Sequence, residues 1–262
     1  MPFVNNKGVR IYYEVEGQGP PLVLAHGRGG TLDTWRRNGY ADALKNDFTL
    51  ALFDARGHGQ SDKPHETPAY EFNLIVDDVV AVLDALGIGK AHYFGYSMGA
   101  MTGFRVAIRS AARFHSFILG GGSPYRSSGV VKGLQDLLEI YKTLLTDPQA
   151  YLVLREEARG HVLTNEETNE GLANDAEAHI ASTTASLNWP PLTNDELSHI
   201  SVPCLLYCGD LDPRHPGAKE GAKRMPQATF VSLPGLDHVP AFVRSDMALP
   251  HVKKFLAEVS KP

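Results

Sequence analysis

The stretch GYSMG, residues 95–99, decides the fold because it joins an apolar run to a helical pattern. Residues 92–95 have the length and apolar character of a buried strand, and residues 100–109 have a helical pattern. A serine on such a sharp strand-to-helix turn is held exposed above the sheet, and the tight backbone requires small residues two positions to either side. The alternative is a glycine-bounded turn with a solvated serine. The first interpretation makes Ser97 a candidate nucleophile.

Strand-length apolar runs and helical patterns alternate on both sides of this stretch. The runs lie at residues 22–25, 49–53, 92–95, 117–119, 204–207 and 229–233. Residues 74–86 carry apolar side chains at helical spacing, and Gly87 is a stop signal. Residues 9–15 alternate like an edge strand and are predicted to form a hairpin with Phe3 and Val4. The pattern predicts a mostly parallel, eight-stranded sheet with helices on both faces.

The alternation breaks between residues 123 and 200. This region has no convincing strand, and residues 166–185 form one long helical candidate. Apolar residues recur at spacings of three and four in its first part, namely Leu134, Leu137, Leu138, Tyr141, Leu144 and Leu145. Strands resume at Val202. The predicted organisation is an α/β core domain, residues 1–122 and 201–262, interrupted by a helical cap at residues 123–200.

The composition is that of an ordinary globular protein, with 43% apolar and 21% charged residues. A formal net charge of −5 argues against a nucleic-acid partner, which requires clustered Lys and Arg. The opening residues lack a cationic start and a sustained apolar run, so they do not resemble a secretory signal. No stretch has the length needed to span a bilayer. We therefore expect a cytoplasmic protein with no membrane partner.

The two cysteines, Cys204 and Cys208, lie four residues apart in one predicted strand. Extended geometry separates their Cα atoms by roughly 13 Å, too far for a disulfide. They are expected to be reduced core thiols, because two cysteines without a neighbouring Cys or His make a weak metal-ligand set. The HGRGG segment at residues 26–30 lacks the spacing of a dinucleotide-binding loop. The sequence thus predicts no metal and no cofactor.

A serine hydroxyl is a weak nucleophile near neutral pH, so it requires a base within reach and an acid behind that base. Of the eleven histidines, His238 follows the last predicted strand and so lies at the same sheet edge as Ser97. The preceding loop offers Asp210 and Asp212. Asp212 is favoured because it lies further along the loop and can turn toward the neighbouring one. Asp237 would have to fold back onto the adjacent histidine.

Four separated motifs resemble those of the α/β-hydrolase fold family and occur in that family's order. They are His26-Gly27 after a strand, the DARGHGQSD segment at residues 54–62, the GYSMG stretch, and the pair GDLD at 209–212 and GLDH at 235–238. Nucleophile, acid and base also follow in the family's order along the chain. The resemblance covers nearly the whole predicted core domain. It implies an α/β-hydrolase fold with a catalytic triad of Ser97, Asp212 and His238.

The resemblance also implies a mechanism in which His238 takes the proton of Ser97 and an acyl-enzyme forms. The backbone N–H groups of Met98 and Arg28 would form the oxyanion hole. Arg28 departs from the family pattern, because this position is often small, apolar or aromatic. Either its guanidinium faces the pocket and recognises an anion, or it faces solvent and only its backbone contributes.

The function that the resemblance implies is hydrolysis of a small to medium carboxylic ester or lactone. Carbon–carbon bond hydrolysis and cofactor-free perhydrolysis use the same triad, and a small-molecule receptor of this fold is an alternative of another class. Trp35, Tyr96, Trp189 and Val239 are candidate pocket residues, with core packing as the alternative for the aromatic ones. A small-molecule substrate is the only partner predicted, and the sequence specifies no oligomeric state.

Overall fold

The computed structural model describes residues 2–160 and 162–260 and contains an eight-stranded sheet. The strand order is β1-β2-β4-β3-β5-β6-β7-β8. The first two strands and the β2–β4 pair are antiparallel, and all other neighbours are parallel. The strands are β1 (Phe3–Asn6), β2 (Val9–Gly17), β3 (Pro21–Ala25), β4 (Thr49–Phe53), β5 (Ala91–Tyr96), β6 (Phe114–Gly120), β7 (Cys204–Gly209) and β8 (Ala228–Leu233). The predicted mostly parallel sheet is confirmed.

Helices follow most of the strands. They are α1 (Asp33–Arg37), α2 (Tyr40–Leu44), α3 (Phe72–Ala85), α4 (Met98–Arg109), α5 (Ser128–Thr146), α6 (Pro148–Arg159), α7 (Asn165–Leu172), α8 (Ala176–Asn188), α9 (Asn194–Ser198), α10 (His215–Arg224), α11 (Pro240–Val243) and α12 (Ser245–Val259). Short 3-10 turns lie at Thr67–Tyr70 and Ala111–Arg113. The helix predicted at residues 74–86 is α3, and Gly87 after it has a φ of 66°, the left-handed conformation of a helix stop.

The sheet has an apolar core on each face, as expected for buried parallel strands. Val23 and Ala25 of β3 pack with α3 and α4 on one face. Leu22 and Leu24 of the same strand face the other way and pack with α1, α2 and α12. Because successive side chains of a strand point to opposite faces, the continuous apolar run of β3 contributes to both cores.

Five helices, α5 to α9, lie between β6 and β7, and we call them the helical insertion. The prediction of one helix over residues 166–185 is wrong, because α7 ends at Leu172 and α8 begins at Ala176. The break arises because the side chain of Asp175 caps α8 by accepting a hydrogen bond from the N–H of Ala178. Helix α6 was not predicted, although Asp147 caps its first turn in the same way.

Both cysteines are buried and unbridged in β7. Within residues 2–160 and 162–260, no three or more His, Cys, Asp or Glu side chains are grouped so that they could hold a metal ion. In the same part of the chain, no helix is long and apolar enough to cross a membrane.

Candidate active site

Ser97 occupies the sharp turn between β5 and α4. Its φ is 53° and its ψ is −107°, an unfavourable conformation for a residue with a side chain. The turn is tight enough that a Cβ placed on Gly99 would lie 2.0 Å from the carbonyl oxygen of Ala25. A Cβ on Gly95 would lie 2.4 Å from the backbone of Gly99. The two glycines of the motif are therefore required by the close approach of backbone to backbone.

Three loops at the carboxyl edge of the sheet bring together a serine, a histidine and an aspartate. Ser97 follows β5, Asp212 follows β7, and His238 follows β8. Nε2 of His238 lies 2.8 Å from Oγ of Ser97, and Nδ1 lies 2.6 Å from Oδ2 of Asp212. Asp210 instead accepts a hydrogen bond from the N–H of Gly235. The arrangement can pass a proton from the serine to an imidazole that is oriented by a carboxylate.

Asp212 is held in its charged form. Burial acts to raise the pKa of its carboxyl group, but the hydrogen bond from His238 and the charge of Arg214 hold that pKa well below its usual range. The backbone N–H of Arg214 donates to Oδ1 at 2.9 Å, and its guanidinium lies 3.3 Å from the same oxygen. The remaining oxygen, Oδ2, is thereby left for the imidazole. Asp212 thus accepts the Nδ1–H of His238 and leaves Nε2 free to receive a proton.

Burial, together with the positive charge of Arg214, lowers the pKa of His238, while Asp212 opposes that change. The imidazole is therefore neutral near pH 7, which is the state that a general base requires. The hydroxyl of Tyr96 donates a hydrogen bond of 2.5 Å to the carbonyl oxygen of His238 and fixes the loop that carries it.

Two backbone N–H groups flank the serine. Met98 is the first residue of α4, so its N–H has no partner within the helix. Arg28 follows Gly27, and a Cβ placed on Gly27 would lie 3.5 Å from Cβ of Ser97. The oxyanion hole of Met98 and Arg28 stays a prediction, with one N–H group at the positive end of a helix and the other on the loop beside the serine.

The Arg28 side chain does not face solvent, so that alternative is wrong. Its guanidinium donates to Oγ of Ser182 at 2.5 Å and to Oγ of Ser186 at 2.7 Å, both on α8. Burial lowers the pKa of Arg28. The side chain therefore connects the loop after β3 to the helical insertion.

A cavity of about 720 Å³ opens onto Ser97 and His238. Tyr96, Trp189 and Val239 lie in its wall. This volume lies within the range of small-molecule sites, roughly 300–1,000 Å³. The cavity is large enough to hold an organic substrate of moderate size beside the serine.

Trp35 is not a pocket residue, so its prediction is wrong. Its side chain lies on the buried face of α1, where its ring centroid lies 4.7 Å from that of Phe94 and 5.3 Å from those of Tyr40 and Phe242. The hydrophobic effect and edge-to-face packing account for this position.

The DARGHGQSD segment has its charged side chains in structural contacts. Asp54 accepts hydrogen bonds from the N–H groups of Leu32 and Gln60, at 2.8 and 2.7 Å. Arg56 forms a buried ion pair of 2.6 Å with Asp78 of α3. Asp54 and Arg56 therefore connect this loop to the loop after β3 and to α3.

Several polar residues of the cavity wall were not predicted from the sequence, among them Tyr141, Arg155 and Arg214. Arg214 was detectable in principle, because it follows the predicted acid by two residues. Tyr151 and Arg155 are spaced four apart on α6, which places them on one helix face, but the sequence does not show which face meets the cavity.

The family model described as "alpha/beta hydrolase fold" matches residues 20–244. The chain is 29% identical to 3-oxoadipate enol-lactonase 1 of Acinetobacter baylyi over 222 residues, which cover 80% of this chain and 78% of that protein. A carboxylesterase from Nitrososphaera gargenis superposes with a TM-score of 0.84 at 23% identity, covering 99% of both chains.

The crystal structure of the enol-lactonase from Burkholderia xenovorans superposes with a TM-score of 0.81 at 24% identity, covering 98% of this chain and all of the other. At these identities the two solved structures establish likeness of fold alone. The family model, in contrast, spans most of the chain, including the serine turn and the loops that carry the aspartate and the histidine. This protein therefore belongs to the α/β-hydrolase fold family.

Proposed function

We propose that this protein is a serine hydrolase that cleaves a carboxylic ester or lactone through an acyl-enzyme on Ser97. The observation that carries the proposal is the continuous hydrogen-bonded path from the Ser97 hydroxyl through His238 to Asp212, with distances of 2.8 and 2.6 Å. The family membership supports hydrolysis, and the name of the enol-lactonase of Acinetobacter baylyi supports a lactone, which is a cyclic ester.

In the first half-reaction, Oγ of Ser97 bonds to the substrate carbonyl carbon while its proton moves to Nε2 of His238. The carbonyl oxygen gains the negative charge and is bound by the N–H groups of Arg28 and Met98. The bond from carbon to the leaving oxygen then breaks, and His238 gives its proton to that oxygen. A neutral alcohol leaves, or, for a lactone, the freed hydroxyl remains on the acyl chain.

In the second half-reaction, water attacks the acyl carbon and loses a proton to His238. The bond to Oγ breaks, the proton returns to Ser97, and the acid is released. Asp212 stabilises the imidazolium that forms in each half-reaction without becoming protonated. No other group has to donate or accept a proton.

The helical insertion acts as a cap in this proposal. Its residues Leu134, Leu137 and Ile140 supply apolar cavity wall above the serine. A closed apolar wall excludes bulk water and strengthens the hydrogen bonds that stabilise the oxyanion. The cap therefore determines which acyl or alcohol groups fit beside Ser97.

The test is hydrolysis of 4-nitrophenyl esters of increasing acyl length, together with five- to seven-membered lactones. We expect rapid multiple turnover by the wild type and a loss of kcat on the order of 10⁶-fold in Ser97→Ala, which removes the nucleophile. Mass spectrometry of the wild type under single turnover should show an acyl group on Ser97. Wild-type rates in Ser97→Ala, or labelling of Ser97 with no second turnover, would contradict the proposal.

Asp210 provides a matched control for Asp212, because both lie on the loop after β7. Asp212→Asn is expected to lower kcat by about 10⁴-fold, since the imidazole would be held in the wrong tautomer. Asp210→Asn removes a carboxylate whose one hydrogen bond among the described residues comes from Gly235, so it should change kcat by less than about threefold. An equal loss in both variants would show that the loop matters only for folding.

A further inference from the structure

The wall of the large cavity contains cations with and without anionic partners. Six arginines line it, and three of them form ion pairs with carboxylates of the protein: Arg37 with Glu170, Arg159 with Glu167, and Arg214 with Asp212. The other three make no ion pair within residues 2–160 and 162–260, and they are Arg28, Arg126 and Arg155.

For two of these three arginines, the protein itself supplies hydrogen-bond acceptors to the guanidinium group. The guanidinium of Arg28 donates to two serine hydroxyls of α8. The guanidinium of Arg126 donates to the carbonyl oxygens of Ser186 and Leu187, where the end of α8 carries partial negative charge. Both therefore have a structural role between the insertion and the loops beneath it.

Arg155 of α6 is different. Only 7% of its surface is exposed, and its one hydrogen bond in the described part of the chain is a 3.1 Å contact from Nη1 to the hydroxyl of Tyr151. Burying a guanidinium without an anion is unfavourable, because the charge loses its hydration and gains no counter-charge. The remaining N–H groups lie at a cavity wall and are left for a ligand.

A second donor lies on the neighbouring helix. The hydroxyl of Tyr141 in α5 lines the cavity and makes no hydrogen bond to the described residues. The ring is held in place by stacking on His179, with centroids 4.4 Å apart. Burial raises the pKa of Tyr141 to about 12, so the hydroxyl keeps its proton and can donate it to an acceptor.

Tyr141 lies beside the loop that carries the proposed oxyanion donor, and Arg155 lies behind Tyr141. A Cβ placed on Gly29 would lie 2.7 Å from the hydroxyl of Tyr141, and Gly29 directly follows the residue whose N–H is the proposed oxyanion donor. Tyr151, which holds Arg155, has its ring centroid 6.3 Å from that of Tyr141. A ligand group between Arg155 and Tyr141 would therefore lie on the insertion side of the cavity, a short carbon chain away from the attacked carbonyl.

We propose that Arg155 and Tyr141 form a subsite for a carboxylate that the substrate carries in addition to the bond that is cleaved. The substrates would then be half-esters of dicarboxylic acids or lactones bearing a carboxylate side chain. A carboxylate matches the planar guanidinium and would supply the counter-charge that Arg155 lacks. This inference rests on the proposed function for the position of the reacting carbonyl.

The test compares two esters of nearly equal shape. The mono-4-nitrophenyl ester of glutaric acid carries a carboxylate, and 4-nitrophenyl 5-methylhexanoate carries an isopropyl group in its place. We expect the wild type to prefer the anionic ester by at least about tenfold in kcat/KM, and the succinate and adipate half-esters to identify the best chain length. In Arg155→Met, the ratio of the two kcat/KM values should fall by about 10- to 100-fold, mainly through KM.

Three further variants separate recognition from folding. Tyr141→Phe should lower the same ratio by about 3- to 10-fold, because one neutral donor is lost. Gly171→Ala keeps the guanidinium but displaces it, since the new Cβ would lie 2.1 Å from Nη1 of Arg155, and should lower the ratio as well. Arg109→Met, on the exposed end of α4 away from the cavity, is the control and should leave the ratio at its wild-type value. Equal losses on both esters would overturn the subsite.

Binding provides a readout that does not depend on turnover. Glutarate dianion should bind to Ser97→Ala in a calorimetric titration and should bind at least about tenfold more weakly when Arg155→Met is added. If this holds while the wild type hydrolyses neither ester, the subsite stands and the proposed function falls. If the neutral ester is hydrolysed, but the wild type shows no anionic preference and glutarate does not bind, the subsite falls and the proposed function stands.

Discussion

His238 lies between charges of opposite sign, and these set the pH at which it can act as a base. Burial and the charge of Arg214 lower its pKa, whereas Asp212 raises it. In the proposed mechanism only the neutral imidazole accepts a proton from Ser97, so we expect kcat/KM to fall as the pH falls through this pKa. A lowered pKa therefore extends activity to more acidic solutions than an ordinary histidine would allow.

We predict that Arg214→Gln moves the acidic limb of the pH–kcat/KM profile to higher pH. Removing the guanidinium raises the pKa of His238, so the imidazole becomes protonated sooner on acidification. Arg214→Lys keeps a positive charge and should leave the limb close to its wild-type position. The measurement is kcat/KM for a neutral ester between pH 4.5 and 8. A shift to lower pH in the glutamine variant would be inconsistent with this electrostatic account.

At the residue scale, the sequence predicted polar contacts better than it predicted which aromatic side chains face the cavity. Ser97, Asp212 and His238 follow predicted strands, so their meeting at one edge could be anticipated from the parallel sheet. Their catalytic roles stay predictions. Trp35 was misplaced because an aromatic residue near a loop is equally compatible with a pocket wall and a core, and which face of α1 is buried depends on tertiary packing.

At the scale of elements, the turn between β5 and α4 is held together by contact between backbones rather than side chains. We predict that Gly99→Ala lowers the free energy of unfolding by about 3 kcal/mol, because the new Cβ would lie 2.0 Å from the carbonyl oxygen of Ala25, which cannot move without shifting β3. Urea denaturation followed by circular dichroism measures this change.

Gly89 is the matched control, because a Cβ placed there meets no atom within 4 Å. Gly89→Ala should change the free energy of unfolding by no more than about 0.5 kcal/mol. Comparable stability in the two alanine variants would show that the turn can relax, and that the close approach of α4 to β3 is not required.

Strands and long helices were predictable because their periods of apolar residues are strong signals. The division between α7 and α8 could not be predicted, because the helical pattern of apolar residues continues across it. The start of α8 depends on one capping carboxylate, that of Asp175. Helix α6 was not predicted because its buried face includes two side chains with polar groups, Tyr151 and Arg155. Their burial depends on the cavity beside them. The helical insertion is thus where the sequence predicted least.

At the scale of the whole molecule, buried histidines connect stability to pH. His58 and His179 are almost fully buried where the loop after β4 meets α8, with ring centroids 4.4 Å apart. Burial, and then the neighbouring positive or titratable groups, lower the pKa of both well below the ordinary value. In the unfolded chain the same side chains bind protons below about pH 6.5.

The free energy of unfolding is therefore expected to fall as the pH drops below about 6.5, because these histidines bind protons in the unfolded state but not in the folded state. Each such histidine contributes about 1 kcal/mol between pH 6.5 and 5.5, because it is only half protonated in the unfolded chain at the upper end of that interval. We predict that His58→Asn, which can keep the donor to the carbonyl oxygen of Arg56, reduces the loss of unfolding free energy between pH 6.5 and 5.5 by about this amount. Urea titrations at the two pH values measure it.

His251 is the control for this prediction, because its side chain lies exposed on α12. His251→Asn should leave the pH dependence of stability unchanged. If His58→Asn loses as much stability on acidification as the wild type, then His58 is not kept neutral by the fold.

His238 lies 141 positions after Ser97, so the ribosome adds the histidine to the growing chain well after the serine. At about 5–20 residues per second, translation reaches the histidine roughly 7 to 28 seconds after the serine. During that interval the nascent chain contains Ser97 but not His238, the proposed base. In the proposed mechanism, synthesis order alone would keep a nascent chain from reacting with cellular esters before its sheet is complete.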